Sequence, residues 1–276
     1  MEPQNIENLK KICKDVRADI IKMTAVAGSG HPGGSLSSVE LMAALYFNVL
    51  NHRPEEPNWP DRDRYILSKG HACPVLYSVM ARTGYFPVEE LTTLRKFGSR
   101  LQGHPNMKVL PGLESSSGSL GQGLSIANGL ALAAKLDNKD YRVYCLLGDG
   151  ELQEGQIWEA AMTAPHYKLD NVCAIVDYNN LQIDGKCSEV MCIKPLAKKW
   201  ESFNWNVIEI DGHDLEQVLK AYKEAAKCTG KPSVIIAHTK KGKGISFMED
   251  VAGWHGKAPN QEELEKALQE IYGRGN

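Results

Sequence analysis

Two polar motifs in this sequence could together bind a metal ion and a phosphate group. Gly148-Asp149-Gly150 follows an apolar run at 143–147, and Asn179-Asn180 comes soon after a second run at 172–176. In open parallel sheets the loops after the strands' carboxyl ends face the ligand crevice, so Asp149 and Asn179 would lie side by side. Their oxygens suit a hard cation such as Mg²⁺, and the glycines let backbone N–H groups approach a phosphate. Each motif alone is also ordinary turn chemistry, so the prediction depends on their strand–helix–strand spacing.

Four of the eight histidines lie in glycine-containing turns, where functional side chains concentrate. These are Gly30-His31-Pro32, Gly70-His71-Ala72, Gly103-His104-Pro105 and Trp254-His255-Gly256. Imidazoles there can hydrogen-bond sugar hydroxyls and phosphates or move protons, although any single one could equally be a surface histidine. The other four are expected to be structural: His52, His166, His213 and His238. No His or Cys cluster has the ligand spacing of a zinc site.

Two glycine-rich segments have two possible interpretations each. The turn at 118–123, Gly-Ser-Leu-Gly-Gln-Gly, precedes a helical pattern through 127–134. It could cradle a phosphate or pack closely against a planar ring, and it is neither a Walker motif nor a dinucleotide fingerprint. Lys241-Gly242-Lys243-Gly244 is either a mobile basic loop or a solvated turn.

The elements that must position these residues alternate between strands and helices. Four short apolar runs predict strands at 143–147, 172–176, 207–210 and 233–237. Helical spacing predicts helices at 10–27, ending at Gly28, from Ser37 or Ser38 to about Leu50, and at 156–164, 215–226 and 261–271. Segments 28–35 and 51–64 are predicted to be loops. The pattern indicates one α/β domain, with a parallel sheet covered by helices on both faces.

Composition excludes several classes of protein. The sequence has 276 residues, is 42% hydrophobic and 24% charged, and carries 32 basic against 34 acidic side chains. This is globular composition, and it gives no electrostatic reason to expect nucleic-acid binding. No apolar stretch approaches the roughly 18 residues of a membrane span, and the first residues lack a signal peptide's apolar core. Seven cysteines without CxxC spacing favour reduced thiols in a cytoplasmic protein.

Seven segments, in order along the chain, resemble the N-terminal, diphosphate-binding half of transketolase. They are 29–33, 61–72, 103–105, 118–123, 148–155, Asn179 with 183–185, and 254–257. The resemblance implies that residues 1–276 form a single thiamine diphosphate-binding domain. Transketolases usually have proline where this chain has Ser119, a mild departure in a loop whose backbone faces the cofactor.

The resemblance also implies a role for individual residues. Asp149, Asn179 and the Leu181 carbonyl would bind Mg²⁺, or alternatively Ca²⁺ or Mn²⁺. The Gly150 N–H, His71 and His255 would contact the diphosphate, Gly118 and Leu120 would lie against the cofactor rings, and Ile183 would support the cofactor's bent conformation. Lys241 matches a position near the cofactor. His31, His104 and His255 would contact the sugar. Glu154, as a catalytic residue, and Glu159, as a cofactor-binding residue, would belong to an acidic network that connects two paired active sites. Lys257 matches a position near the substrate entrance.

Full-length transketolases continue into a pyrimidine-binding domain and a C-terminal domain, which we expect to be absent from this chain. We therefore expect the N-terminal subunit of a split transketolase, active only with a C-terminal partner subunit, in an α2β2 heterotetramer. It would transfer a two-carbon ketol unit between sugar phosphates, as in the pentose phosphate pathway. Two alternatives stay open: a subunit of another thiamine diphosphate enzyme, resembling 1-deoxyxylulose-5-phosphate synthase or a 2-oxoacid decarboxylating enzyme, and a non-catalytic regulatory subunit.

Overall fold

A five-stranded parallel sheet forms the centre of the computed structural model, which describes residues 3–273. Its strands lie in the order β1-β2-β3-β7-β6. They are β1 (Arg64–Leu67), β2 (Val143–Gly148), β3 (Val172–Tyr178), β6 (Asn206–Asp211) and β7 (Ser233–His238). A small antiparallel hairpin, β4 (Leu181–Gln182) and β5 (Gly185–Lys186), follows β3.

Helices cover both faces of the sheet, because successive strand side chains point to opposite sides. One core contains Tyr144 and Leu146 of β2 and the other contains Cys145 and Leu147. The first core packs against α1 (Ile6–Ala27), α3 (Val39–Ala44), α4 (Cys73–Thr83), α9 (Leu215–Lys227) and α10 (Gln261–Tyr272). The second packs against α5 (Gly123–Leu136), α6 (Gly155–His166) and α8 (Leu196–Ser202). Two short helices are α2 (Pro32–Leu36) and α7 (Cys187–Val190).

The predicted architecture is confirmed, and all four predicted strands are present. The first helix ends as expected at Gly28, whose φ of 60° gives the left-handed conformation that glycine adopts easily. Within residues 3–273, none of the helices combines the length and apolarity needed to cross a bilayer.

Two local predictions were wrong. The loop predicted at 28–35 contains α2, and the single helix predicted up to Leu50 is α3 followed by a π-helical turn at Leu45–Val49. The loop predicted at 51–64 is present, and β1, where no strand was predicted, begins at its last residue, Arg64. Glycine has a low helix propensity, which is why a loop was predicted at 28–35. Gly33 is nevertheless required in α2, because a Cβ at this position would lie 2.8 Å from the Trp254 carbonyl oxygen. Tertiary packing therefore overrides local propensity in α2.

Candidate active site

A cavity of about 410 Å³ opens where β1, β2, β3 and β7 end. The register places Gly148 of β2 beside Asp177 of β3, so the two polar motifs leave the sheet next to each other. The Gly70–Ala72 turn follows β1, and the segment containing Lys241 follows β7. Parallel topology thus gathers four chain segments at one edge of the sheet, the position at which α/β proteins bind ligands.

The four histidines in glycine-containing turns meet in this cavity. The ring centroid of His31 lies 5.2 Å from that of His71, 5.5 Å from that of His255 and 6.4 Å from that of His104. Burial, together with the charge of Arg95, lowers the pKa of His31 to about 4. Burial and neighbouring cations lower the pKa values of His71 and His255 to about 2 and about 3. The cluster is therefore neutral at pH 7 and can accept or donate hydrogen bonds.

Asp149 and Asn179 lie against the same stretch of backbone. The Asn180 N–H donates to Asp149 Oδ2 at 2.5 Å, the Gly150 N–H donates to Asp149 Oδ1 at 2.8 Å, and the Leu181 N–H donates to Asn179 Oδ1 at 3.1 Å. Asp149 is 2% exposed, and burial beside Asp177 raises the pKa of its carboxyl group to about 6. A carboxylate in this environment would be stabilised by a cation.

Lys241 places a cationic side chain against that backbone. Its ammonium group donates to the Leu181 carbonyl oxygen at 2.9 Å and lies 2.8 Å from His255 Nδ1. The side chain is 2% exposed, and burial lowers its pKa to about 8. Lys241 thus presents a desolvated positive charge to the cavity, which a phosphate group would neutralise.

A buried ion pair between Lys69 and Asp177 orients the side chain of Asn179. Lys69 Nζ lies 2.5 Å from Asp177 Oδ2, and that carboxylate is fully buried. Burial opposes its ionisation, but the Lys69 charge holds the pKa of Asp177 below its usual value. Asn179 Nδ2 donates to Asp177 Oδ2 at 3.0 Å, which fixes which end of the amide carries the oxygen. No sequence motif pointed to this pair.

Glu151 joins the 118–123 turn to the end of β2. It accepts from the Gly121 and Gly148 N–H groups, both at 2.9 Å, and from the Ser68 hydroxyl. It is 2% exposed, and burial raises its pKa. Sequence reasoning missed it because its three partners come from three separate segments. The signal that could have been used was a glutamate directly after a buried strand and its Gly-Asp-Gly motif.

All but two of the residues given a role from the sequence line this cavity. They are His31, His71, His104, Gly118, Leu120, Asp149, Gly150, Glu154, Asn179, Leu181, Ile183, Lys241 and His255. The two exceptions are Glu159, an exposed residue on α6, and Lys257, which pairs with Glu263 at 2.6 Å. Lining residues without a predicted role include Lys69, Glu151, Gln153 and Gln182.

The donor groups fit thiamine diphosphate held through a divalent ion. Among the described residues, His31 Nδ1 is buried without a hydrogen-bond partner, as expected of a group that awaits a ligand. At Gly118 a Cβ would lie 3.5 Å from the His104 ring, so the glycine leaves room in the cavity. Residues 3–273 contain no cluster of three or more His, Cys, Asp or Glu side chains suited to a metal. An ion here would therefore depend on amide, carbonyl and diphosphate oxygens as well as on Asp149.

Comparison with known proteins identifies the family of this chain. Residues 8–275 match the family described as transketolase, thiamine diphosphate binding domain. The chain is 41% identical to one subunit of the apulose-4-phosphate transketolase of Phocaeicola vulgatus, over 96% of this chain and 94% of that one. It is 46% identical to the 6-deoxy-6-sulfo-D-fructose transketolase subunit SqwG of Clostridium sp. MSTE9, over 90% of each. The crystal structure of Campylobacter jejuni transketolase superimposes with a TM-score of 0.92 at 36% identity; the match covers 98% of this chain and 43% of that one.

Proposed function

Because the chain belongs to the family of transketolase thiamine diphosphate-binding domains, we propose that it is the N-terminal subunit of a split transketolase. It would transfer a two-carbon ketol unit from a ketose to an aldose. The observation that carries this proposal is the convergence of four neutral histidines with Asp149 and Asn179 in one cavity. Bound thiamine diphosphate supplies a nucleophilic carbon and an electron sink for cleaving a bond next to a carbonyl.

The residues of this chain would bind the diphosphate end of the cofactor. Asp149, Asn179 and the Leu181 carbonyl would hold the Mg²⁺ ion. The Gly150 N–H, His71, His255 and Lys241 would contact the diphosphate, and Gly118, Leu120 and Ile183 would lie against the rings. Lys241 is already desolvated and fixed, so its positive charge acts on a phosphate with little screening.

The neutral imidazoles would orient the sugar and exchange its protons. Arg95 lies close enough to His31 and His104 for its charge to act on both imidazoles, and its guanidinium donates to the Ser29 hydroxyl at 3.0 Å. Its positive charge contributes to the lowered pKa values of both imidazoles. An anionic sugar would be attracted to this end of the site. The relatives' names refer to a sugar phosphate and a sulfosugar, and we propose an anionic ketose of either kind as the substrate.

A second chain would supply the pyrimidine-binding and C-terminal domains, in an α2β2 assembly. Support for a partner comes from the relatives, which are named as subunits and align with this chain over 90% or more of their length. A second support is the apolar surface of α5, where Ile126 is 36% and Leu136 is 76% exposed. We also propose a cytoplasmic location, since all seven cysteines lie within residues 3–273 and carry free thiols.

Affinity capture followed by an activity assay tests the proposed function. The tagged chain is captured from its own cells with thiamine diphosphate and Mg²⁺, and a stoichiometric companion with a pyrimidine-binding domain is expected. The complex should transfer two carbons from a ketose donor and not from pyruvate. Asp149→Ala should reduce transfer by at least about 100-fold, because the metal loses its carboxylate ligand, while the melting temperature stays close to that of the wild type. Near-normal turnover by Asp149→Ala, or pyruvate as the better donor, would contradict the assignment.

A further inference from the structure

His213 lies outside the cavity, but it is attached to the turn that carries Lys241. Its Nε2 accepts a hydrogen bond from the Lys240 backbone N–H at 2.8 Å. Its Nδ1 lies 3.0 Å from Glu40 Oε2. Because Nε2 accepts, Nδ1 must carry the proton and donate it to the carboxylate, which fixes the tautomer and the plane of the ring.

Glu40 is held in place by a second partner, Arg17 of α1. Arg17 Nη2 donates to Glu40 Oε1 at 2.5 Å, and Arg17 Nε donates to the Lys243 carbonyl oxygen at 3.0 Å. The side chains of Arg17 and Glu40 are each 9% exposed. The network of Arg17, Glu40 and His213, called here the turn clamp, therefore binds the backbone on both sides of Lys241. Buried charged hydrogen bonds of this kind are strong and directional.

The backbone of the turn is fitted to this clamp. Gly244 has a φ of +92°, and a Cβ there would lie 2.8 Å from Arg17 Nε. The Gly242 N–H donates to the Gly33 carbonyl oxygen at 3.1 Å, and the Asp250 N–H donates to the Lys241 carbonyl oxygen at 2.9 Å. The turn at 240–244 is thus held from several directions and is not a mobile loop anchored only at its ends.

From these contacts we propose that His213 is a positioning residue, which acts through the Lys240 N–H to hold the Lys241 ammonium in the cavity. A flexible lysine would lose side-chain entropy on binding a phosphate, whereas a lysine held beforehand does not. The role of Lys241 at a diphosphate rests on the proposed function, but its confinement by His213 can be tested without any cofactor.

The first test measures the reactivity of Lys241 in the complete, cofactor-free chain. Acetylation by a small amine-reactive reagent is followed by mass spectrometry in the wild type, His213→Ala and the control His238→Ala. His238, the last residue of β7, also pairs with a glutamate, but its side chain is 51% exposed. Lys241 labelling should rise about tenfold in His213→Ala and stay at the wild-type level in His238→Ala. The loss of one such hydrogen bond changes an equilibrium by about tenfold.

Lys69 provides an internal control, because it is as deeply buried as Lys241, at 2% exposure. General loosening of the fold would increase the labelling of both lysines, whereas loss of the clamp should affect Lys241 alone. Unchanged Lys241 labelling, or an equal rise at Lys69, would overturn the proposal. If His213→Ala does not fold, Arg17→Lys removes the bond to the Lys243 carbonyl and is expected to give the same selective rise.

A double-mutant cycle tests whether the confinement serves binding. The dissociation constant of thiamine diphosphate with Mg²⁺ is measured by calorimetry for the wild type, His213→Ala, Lys241→Ala and the double variant, each in complex with the captured companion chain. His213→Ala should weaken binding about tenfold in the wild-type background and have no further effect in the Lys241→Ala background. If the two single effects multiply in the double variant, the proposal is overturned. A wild-type complex that does not bind thiamine diphosphate would contradict the proposed function instead, and Lys241 labelling would still decide the role of His213.

Discussion

Burial shifts the pKa values of most ionisable side chains in the cavity. It lowers the pKa values of His71 and Lys241 to about 2 and about 8, and it raises that of Asp149 to about 6. Each of these groups is thereby shifted towards its neutral form, because a neutral group loses less hydration free energy on burial than a charged one. A metal ion bound with a diphosphate would favour the carboxylate of Asp149 and the ammonium of Lys241. The cavity is therefore electrostatically prepared for those two ligands together.

The histidine cluster should make the stability of the folded chain depend on pH. Its imidazoles stay neutral when folded, with pKa values of about 2 for His71 and about 3 for His255, whereas unfolded imidazoles titrate near 6.5. Below about pH 6.5 the unfolded chain thus binds more protons, so the free energy of unfolding falls as the pH falls. Each histidine contributes up to about 1.4 kcal/mol per pH unit.

Urea denaturation at pH 7, 6 and 5 measures this dependence. His71→Asn should show a smaller loss of stability between pH 6 and 5 than the wild type, by up to about 1.4 kcal/mol. The matched control variant is His166→Asn, because His166 is an exposed histidine on α6; a smaller loss of stability there as well would not be specific to the cavity. A wild-type slope in His71→Asn would show that this imidazole is not held in its neutral form.

At the residue scale, sequence predicted the groups that face the ligand better than those that support them. His31 and Asp149 stand out because each lies in a glycine-containing turn. Lys69 and Asp177 are 108 residues apart, and only the folded sheet brings their charges within 2.5 Å. A buried ion pair can be recognised only once both side chains are known to be buried, and the sequence alone does not contain that information.

At the element scale, long apolar strands were predictable and short or tightly packed elements were not. Central strands such as β2 and β3 are buried on both faces and read as continuous apolar runs. The edge strand β1 has only four residues and begins with Arg64, so it lacked such a run. For the turn at 240–244 the sequence allowed both a mobile and a solvated form, because the contacts that hold it come from α1, α3 and the segment after β6.

Gly242 should be essential to that turn. Its φ is +76°, and a Cβ would lie 2.3 Å from the Met248 carbonyl oxygen. Gly230 is a matched control, because its φ is +78° but no atom lies within 4 Å of the Cβ position. Gly230→Ala should cost only the left-handed backbone strain, about 1 kcal/mol, whereas Gly242→Ala adds a backbone clash and should cost about 3 kcal/mol.

The two alanine variants are compared by urea denaturation of the chain and, in complex with the companion chain, by calorimetric titration with thiamine diphosphate and Mg²⁺. Only Gly242→Ala should also weaken cofactor binding, since it displaces the backbone next to Lys241. Equal destabilisation of the two variants would mean that the turn can relax around a methyl group.

At the scale of the whole molecule, the order of the motifs along the chain was sufficient to predict the fold and family. It was not sufficient to define a partner surface, because exposure depends on which helix faces pack against the sheet. α5 illustrates this: Leu124 and Ala127 are fully buried, whereas Ile126 between them is 36% exposed. Ile126 also lines a depression with the 115–119 segment and Gln122, beside the active-site turn. The second subunit is expected to cover this region and complete the site.

Substitution of Ile126 should therefore weaken assembly without unfolding the chain. Ile126→Glu places a charge in the expected interface, where burying it without a counter-charge should lower capture of the companion chain by at least about tenfold. Val88→Glu is the matched control, because Val88 is 37% exposed and lies on a turn distant from α5 in the sequence. Both variants should keep a melting temperature within about 3 °C of the wild type, as surface substitutions usually do. If Ile126→Glu captures as much companion as Val88→Glu, the second subunit binds elsewhere, and the apolar face of α5 has another role.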